Sequence, residues 1–242
     1  MTGTRDELDL SLVIPVYNER DNLAPLVAEI TASLRGAGWR YEVLMVDDGS
    51  TDGSVDALVA LRREHPELRI VRLARNAGQT AAMDAGFHRA RGAVVVTLDA
   101  DLQNDPADIP LLVHEMEGWD AVVGVRRVRR DSLVRRVSSR VANYVRNRLS
   151  DETITDTGCS LKAYRREAVA RLKLYRGMHR FLPTLLKMEG FRVREIPVGH
   201  RPRAHGQSKY GISNRLVPSF VDLLAVRWMK KRMLRYEVKD DA

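Results

Sequence analysis

Two aspartates at the end of an apolar run are the residues with the clearest chemical potential. Asp99 and Asp101 follow residues 93–98 (AVVVTL) and are separated only by Ala100. Alternate side chains of a strand face opposite ways, but both carboxylates can converge where the chain turns at the strand end. Two carboxylates this close repel each other unless a cation lies between them. A divalent cation with a diphosphate fits this pattern, whereas a helix N-cap beside a surface acid is the purely structural alternative.

Polar residues also follow two other apolar runs. Asp48 ends the run at 41–46, within the sequence VDDGS, which is suited equally to a tight turn and to ligand binding. Pro15, Tyr17 and Asn18 end the run that starts at Leu10. Here a proline that ends a strand and an asparagine that caps a helix form the structural alternative, while the tyrosine is able to stack on a base.

These residues need a scaffold, and the first 125 residues alternate strand and helix patterns. Continuous β-branched runs between helices predict strands that are buried on both faces, and therefore a mostly parallel sheet flanked by helices in an α/β fold. Ligands of such sheets bind beyond the carboxyl ends of the strands. The predicted strands are 10–17, 41–46, 69–73, 93–98 and 121–125, and the predicted helices are 21–34, 52–64, 78–89 and one that starts near residue 106.

Glycine motifs that bind phosphates are missing from these strand ends. No G-x-G-x-x-G and no G-x-x-x-x-G-K-[ST] sequence follows any predicted strand, which argues against a dinucleotide site and against a P-loop. Phosphates at this edge therefore need another neutralising partner. A metal ion held by carboxylates is the obvious one.

The second half of the chain is less regular. Its patterns predict a basic helix at 132–149, a strand at 160–165, a helical segment at 177–190 with a kink at Pro183, a strand at 192–197, a polar loop at 201–211 and a helix at 214–236 broken early by Pro218. We expect one catalytic domain at 1–213, followed by an amphipathic basic helix and tail at 214–242. The apolar face of that helix suits an anionic leaflet, its own domain or a second subunit, so a homodimer stays open.

Composition limits the class of protein. The chain has 242 residues, a net charge of +8 and one cysteine, Cys159, which excludes an intramolecular disulfide framework and a thiolate zinc cluster. Neither a secretion signal nor an apolar run long enough to span a membrane is evident, so we expect a cytoplasmic protein. Nine arginines lie within residues 126–148. On charge alone, nucleic acid, phosphorylated lipid and anionic membrane all fit as partners.

The ordered series of motifs resembles the family 2 glycosyltransferases, which have a GT-A (Rossmann-like) fold. The similarity covers roughly residues 8–213 and includes features of the subgroup that contains dolichyl-phosphate mannosyltransferase and bacterial polyprenyl-phosphate glycosyltransferases. The motifs that carry it are LSLVIPVYNERDNL, VDDGSTDGS, the segment 75–78, LDADLQNDP, GVRRVRR, DTGCSLKAYRR and HGQSKYG.

The resemblance implies a role for individual positions. Nucleotide binding is implied for Pro15, Tyr17, Glu19, Asp48, Asp99 and Ala100. A Mg²⁺ or Mn²⁺ ion is implied at Asp99, Asp101 and Gln103, and catalysis at Asp101, Gln103 and Arg126. Binding of the acceptor phosphate is implied for Arg126, Arg135, Ser139, Arg203 and Lys209.

The implied reaction moves a sugar with inversion from a nucleoside diphosphate to undecaprenyl or dolichyl phosphate. UDP-sugars are favoured as donors and GDP-mannose stays open. The enzyme would be peripheral to the inner face of the membrane. A lipid phosphate is already anionic near neutral pH and needs no general base, whereas a hydroxyl acceptor does. Asp156 is therefore either a residue that orders a loop or the base for a saccharide or small soluble acceptor.

A nucleic-acid-binding module explains the charge but not the DADLQ motif, and the chain has no base-stacking motif, so we expect no nucleic acid partner. Cys159 is interpreted as a small packed residue and not as a nucleophile. The histidines His179, His200 and His205 do not have a metal-ligand spacing.

Overall fold

The computed structural model describes residues 8–126, 154–202 and 213–234, together with Tyr236 and Lys239; in the last helix, side chains are described from Phe220 onward. Several predictions fall outside the described residues. They are the basic helix at 132–149, most of the loop at 201–211 with His205, and four of the five residues expected to bind the acceptor phosphate: Arg135, Ser139, Arg203 and Lys209.

Seven strands form one mixed sheet, in the order β3-β2-β1-β4-β6-β5-β7. Strand β6 is antiparallel to both of its neighbours, and the other neighbouring pairs are parallel. The expectation of a mostly parallel sheet is confirmed. The strands are β1 (Leu10–Val16), β2 (Tyr41–Asp47), β3 (Leu68–Arg72), β4 (Val94–Thr97), β5 (Ala121–Arg126), β6 (Lys162–Arg165) and β7 (Val193–Val198).

Helices cover both faces of the sheet and bury an apolar core on each. One core lies under α1, α2 and α4, and the other lies under α3, α5, α6 and α7. Short 3-10 turns at Pro106–Asp108 and Met178–Phe181 precede α4 and α6. The helices are α1 (Arg20–Leu34), α2 (Ser54–Leu61), α3 (Gln79–Phe87), α4 (Ile109–His114), α5 (Arg166–Ala170), α6 (Leu182–Met188) and α7 (Ser213–Arg232).

The structure corrects the sequence prediction at three places. Helix α2 ends three residues early, at Leu61, and the short helix α5 was not predicted. Helix α7 was expected to break at Pro218, but it runs continuously from Ser213 to Arg232. A proline removes one backbone hydrogen bond. Packing of the later turns of α7 against the second core outweighs that local cost.

Pro15 lies in the central strand β1, where it is tolerated because of the register between β1 and its two neighbours, β2 and β4. The Asp48 amide donates to the Val16 carbonyl, so Val16 faces β2. Successive residues of a strand bond to opposite neighbours, so the Pro15 nitrogen faces β4. Pairing with β4 has already ended at Val13, opposite Thr97. The missing N–H therefore removes no bond from that ladder, and the chain is free to leave the sheet at Tyr17.

Close packing around Gly124 fixes the end of β5. A Cβ atom at this position would lie 2.7 Å from Val198 Cγ2 and 2.8 Å from the Leu161 carbonyl oxygen. The Gly124 amide itself donates to that oxygen over 3.0 Å. Only a glycine allows β5 to approach β6 and β7 this closely, and this approach sets the position of Arg126 two residues later.

We therefore expect Gly124→Ala to lower the free energy of unfolding by about 2–3 kcal/mol, because the added methyl group has no space. Gly118→Ala is the control: no atom lies within 4 Å of its Cβ position, and its φ of +74° carries only a backbone penalty of about 1 kcal/mol. Urea unfolding of the two variants checks this. Equal losses of stability would contradict the packing argument.

Candidate active site

Polar side chains from four parallel strands meet at one edge of the sheet. Strands β1, β2, β4 and β5 end there, and the antiparallel strand β6 begins there. The edge therefore collects the residues that follow four strands and the residues that precede a fifth. This is the edge where ligands of open α/β sheets bind.

Asp48 and Asp99 both hold the start of α3. The buried Asp48 accepts hydrogen bonds from the backbone amides of Ala77 (2.7 Å, to Oδ1) and Gly78 (2.9 Å, to Oδ2). Asp99 Oδ1 accepts from Gln79 Nε2 over 2.8 Å. The two predicted ligand-binding acids are thus brought together by consecutive residues. Gln79 is a site residue that the sequence analysis missed, since no charge or motif of its own marked it.

The second aspartate of the pair lies in a tight turn. Asp101 is only 7% exposed, and its Oδ1 accepts from the Gln103 amide over 3.2 Å. Between them Leu102 has a left-handed φ of 61°. Non-glycine residues held in this region are uncommon, and they cluster at functional sites. This turn carries both aspartates and Gln103 to the sheet edge, as their spacing predicts.

Arg201 joins this turn to the start of the predicted acceptor loop. Its amide donates to the Gln103 carbonyl over 2.8 Å. Its guanidinium binds Asp105 (2.7 Å) and Glu29 (2.8 Å), and these hydrogen bonds, that to Asp105 foremost, raise the pKa of Arg201. The residues just before Arg203 are therefore anchored beside the DADLQ segment. No pattern in the sequence marks Arg201 as a site residue.

The loops after β1 and β2 are bonded to each other. Asn18, whose φ is 53°, accepts from the Thr51 amide through Oδ1 (2.7 Å), and its own amide donates to Ser50 Oγ (2.9 Å). Asn18 thus fixes the neighbouring loop and does not cap α1. Glu19 accepts from Asn22 Nδ2 over 2.6 Å. Tyr17, which precedes Asn18 directly, is partly exposed at the edge, as a ligand-binding residue must be.

Arg126 and Asp156 form a bidentate ion pair. Arg126 Nε donates to Asp156 Oδ2 (2.7 Å) and Nη2 donates to Oδ1 (2.8 Å), with both side chains largely buried. The Gly158 amide also donates to Asp156 Oδ1, over 3.1 Å. This geometry matches the interpretation that Asp156 orders the loop before β6. It also holds the predicted phosphate-binding arginine in one orientation at the site edge.

The remaining polar residues beneath the edge connect the loops to the sheet. Ser160 Oγ donates to the buried Asn104 Oδ1 over 2.6 Å, and Thr97 Oγ1 donates to the Ser160 carbonyl over 2.8 Å. Cys159 is 1% exposed, and burial raises the pKa of its thiol, so the interpretation of a packed cysteine is confirmed. His179 Nδ1 lies 2.8 Å from Thr80 Oγ1, in a structural contact.

The donor set suits a divalent cation that binds together with a substrate. Among the described residues there is no cluster of three or more Asp, Glu, His or Cys side chains that could hold a metal ion. The protein can offer Asp99, Asp101 and the amide oxygen of Gln103. Mg²⁺ is commonly bound by one or two carboxylates together with substrate phosphates, so these residues fit a cation that a diphosphate completes.

Comparison with known sequences identifies the family. The profile described as "Glycosyl transferase family 2" matches residues 11–173, and the chain belongs to that family. A dodecaprenyl-phosphate galacturonate synthase from Rhizobium johnstonii is 44% identical, over 98% of this chain and 71% of its own. An undecaprenyl-phosphate 4-deoxy-4-formamido-L-arabinose transferase from Aeromonas hydrophila is 42% identical, over 89% of this chain and 66% of its own. The chain thus spans about two thirds of the length of these relatives.

Solved structures share the fold. Glucosyl-3-phosphoglycerate synthase from Mycobacterium tuberculosis, in complex with Mn²⁺, UDP and phosphoglyceric acid, aligns with a TM-score of 0.70 at 20% identity, over 94% of this chain and 80% of that chain. A mannosyltransferase from Pyrobaculum calidifontis, in complex with GDP-Man and Mn²⁺, aligns with a TM-score of 0.64 at 21% identity, over 94% of this chain and 71% of that chain. The expected GT-A fold is confirmed.

The ion pair between Arg126 and Asp156 yields a test of the role of Asp156. We expect Asp156→Asn and Arg126→Met each to lower the free energy of unfolding by about 2–4 kcal/mol, because each removes the oppositely charged partner of a largely buried side chain. The double variant should lose less than the sum of the two. Denaturant unfolding of all four proteins gives the coupling energy. Full additivity would show that the pair does not order the loop.

Proposed function

We propose that the protein is a metal-dependent inverting glycosyltransferase that moves a sugar from a nucleoside diphosphate to polyprenyl phosphate. The observation that carries the choice of acceptor is the pairing of Asp156 with Arg126. A carboxylate held by a guanidinium and an amide is a poor proton acceptor. A sugar acceptor that is already anionic, such as a lipid phosphate, needs no general base to remove a proton. The names of the relatives, which are enzymes of dodecaprenyl and undecaprenyl phosphate, support the same choice.

The donor would bind across the ends of β1, β2 and β4. Pro15, Tyr17, Glu19, Asp48 and Ala100 would contact the nucleotide there. We favour a UDP-sugar, as the resemblance to the bacterial members of the subgroup implies, with GDP-mannose as the alternative. The structures that share this fold include complexes with UDP and with GDP-Man, each with Mn²⁺. Asp99, Asp101 and Gln103 would hold the cation. When bound, the cation neutralises charge on the diphosphate leaving group.

The reaction is a single displacement at the anomeric carbon. A phosphate oxygen of the acceptor attacks that carbon, the bond to the nucleoside diphosphate breaks, and the configuration inverts. No proton has to be removed from the nucleophile. The protein contributes positive charge and alignment. Alignment of the two bound reactants converts a bimolecular step into an effectively unimolecular one. Arg126 would bind the acceptor phosphate from the β5 side, together with Arg135, Ser139, Arg203 and Lys209 outside the described residues.

Arg201 supports this arrangement. It anchors the chain two residues before Arg203, and its amide bonds to the carbonyl of Gln103. The acceptor loop and the predicted cation ligand therefore share a backbone contact. A phosphate held by that loop would lie close to the cation-bound diphosphate, which is the geometry that transfer requires.

The last helix presents a second apolar face away from the domain. Leu223 and Val226 are buried in the core beneath α7, whereas Phe220, Leu224 and Trp228 lie on the opposite face and are 43–64% exposed. The exposed Lys231 and Arg232 border this face. The described residues contain no helix long and apolar enough to cross a membrane. We propose that this face of α7 lies on the anionic inner leaflet, where the lipid phosphate is.

The transfer reaction itself tests the proposal. Purified protein is incubated with Mg²⁺ or Mn²⁺, a panel of UDP- and GDP-sugars, and undecaprenyl or dolichyl phosphate in detergent. We expect release of nucleoside diphosphate that requires both the cation and one lipid phosphate, together with a sugar-labelled lipid product. Release that is indifferent to the lipid, and that is lost in Asp156→Asn, would favour a soluble hydroxyl acceptor instead.

Membrane binding by α7 is tested separately with vesicles. We expect Leu224→Ala/Trp228→Ala to reduce partitioning into vesicles of 30% phosphatidylglycerol by roughly ten-fold or more, given the apolar area lost. Leu111→Ala is the control, because that leucine is 40% exposed on α4, which covers the opposite face of the sheet from α7. Sedimentation with vesicles gives the partition coefficients. Equal partitioning of the double variant and the wild type would contradict this role for the exposed face.

A further inference from the structure

Lys162 is a buried lysine beneath the carboxylate edge. It is the first residue of β6 and pairs with Thr97 of β4 on one side and Val123 of β5 on the other. Because β6 begins where β4 and β5 end, this position lies directly under the turn that carries the two aspartates. The residue is only 3% exposed. It shares a sheet face with Tyr164, two residues later, which is fully buried in the core under α3.

Charged groups of the site surround this lysine without pairing with it. Burial lowers the pKa of Lys162, and the carboxylates of Asp156 and Asp99 act against that effect while Arg126 adds to it. Within the described part of the chain, its ammonium forms no hydrogen bond and no ion pair. Lysine is almost never this buried unless it is paired.

Such an ammonium group is costly for the fold. Burying a charge without hydrogen-bond acceptors costs several kcal/mol, and replacing buried charges by apolar residues of similar volume is often neutral or stabilising. The three N–H donors of Lys162 therefore need acceptors that the described protein atoms do not provide. A phosphate oxygen at the edge above would provide an acceptor and a compensating charge.

We propose that Lys162 is a binding residue of the active site that donates hydrogen bonds from below to a phosphate oxygen of the bound substrates. This inference rests on the proposed function, in which two phosphates meet at this edge. The diphosphate of the donor and the phosphate of the acceptor present the same chemistry to the lysine. Lys162 would bind one of these two phosphates from the side of the sheet that α3 covers, opposite to α1 and α4. Arg126 would contribute positive charge from the end of β5.

The test compares Lys162→Met, which keeps length and removes charge, with Lys173→Met, which makes the same change at an exposed position. Three measurements are made: the thermal midpoint, the affinity for UDP with Mn²⁺ in the absence of lipid, and kcat and KM for undecaprenyl phosphate in the transfer assay. We expect Lys162→Met to fold with an unchanged or higher midpoint and to lose at least ten-fold in kcat/KM. Lys173→Met should match the wild type.

The two phosphate sources give different results. Weaker UDP affinity assigns the lysine to the donor diphosphate, and unchanged UDP affinity with a raised KM for undecaprenyl phosphate assigns it to the acceptor. A midpoint that falls by more than about 5 °C, failure to fold, or unchanged binding of both substrates would overturn the proposal. If the wild type transfers no sugar to any lipid phosphate, the proposed function fails, and UDP affinity together with the thermal midpoint then decides the role of Lys162.

Discussion

Repulsion among carboxylates at one edge of the sheet is the constraint on which the rest of the site depends. Parallel strands deliver Asp48, Asp99 and Asp101 to this edge, and the loop before β6 adds Asp156. In a partly buried setting such charges must each be offset. The molecule does so in different ways: backbone amides for Asp48, an amide side chain for Asp99, a guanidinium for Asp156 and a turn amide for Asp101.

The hydrogen-bond partners of the four aspartates separate them into two pairs. Asp48 and Asp156 each accept two or more short hydrogen bonds from the protein, and they fix the loops on either side of the site. Asp99 and Asp101 are separated only by Ala100, and they precede Leu102, which has a left-handed φ of 61° in the turn at the edge. Negative charge concentrated in this way favours a divalent cation and, with it, a nucleoside diphosphate. In the proposed function these carboxylates would hold the anionic donor indirectly, through the cation that they bind.

Much of this arrangement follows from the sequence, because strand ends in a parallel sheet necessarily converge. The apolar runs before Asp48 and Asp99 predict the sheet, and its topology then brings these two acids to one edge. The pairing of Arg126 with Asp156 is not predictable in this way, since it depends on β6 entering the sheet antiparallel between β4 and β5.

Other features cannot be predicted from sequence patterns because tertiary contacts determine them. Helix α7 passes through Pro218 since its later residues pack on the second core, a contact between segments far apart along the chain. Gln79 acts through one side-chain hydrogen bond, and Arg201 acts through a backbone hydrogen bond and two ion pairs. No local sequence pattern signals these contacts. In the sequence, Lys162 looks like an ordinary lysine at the start of a strand. Its burial becomes evident only from the strand register, which places it between β4 and β5.

Above all, we propose that the carboxylates at the end of β4 bind a cation together with a nucleoside diphosphate. Titration of Mn²⁺, followed by electron paramagnetic resonance with and without UDP, tests it most directly. We predict weak Mn²⁺ binding alone, at least ten-fold tighter binding with UDP, the same enhancement of UDP affinity by Mn²⁺, and loss of this coupling in Asp101→Ala. Equal UDP affinity with Mn²⁺ and with chelator, or unchanged coupling in Asp101→Ala, would contradict the claim.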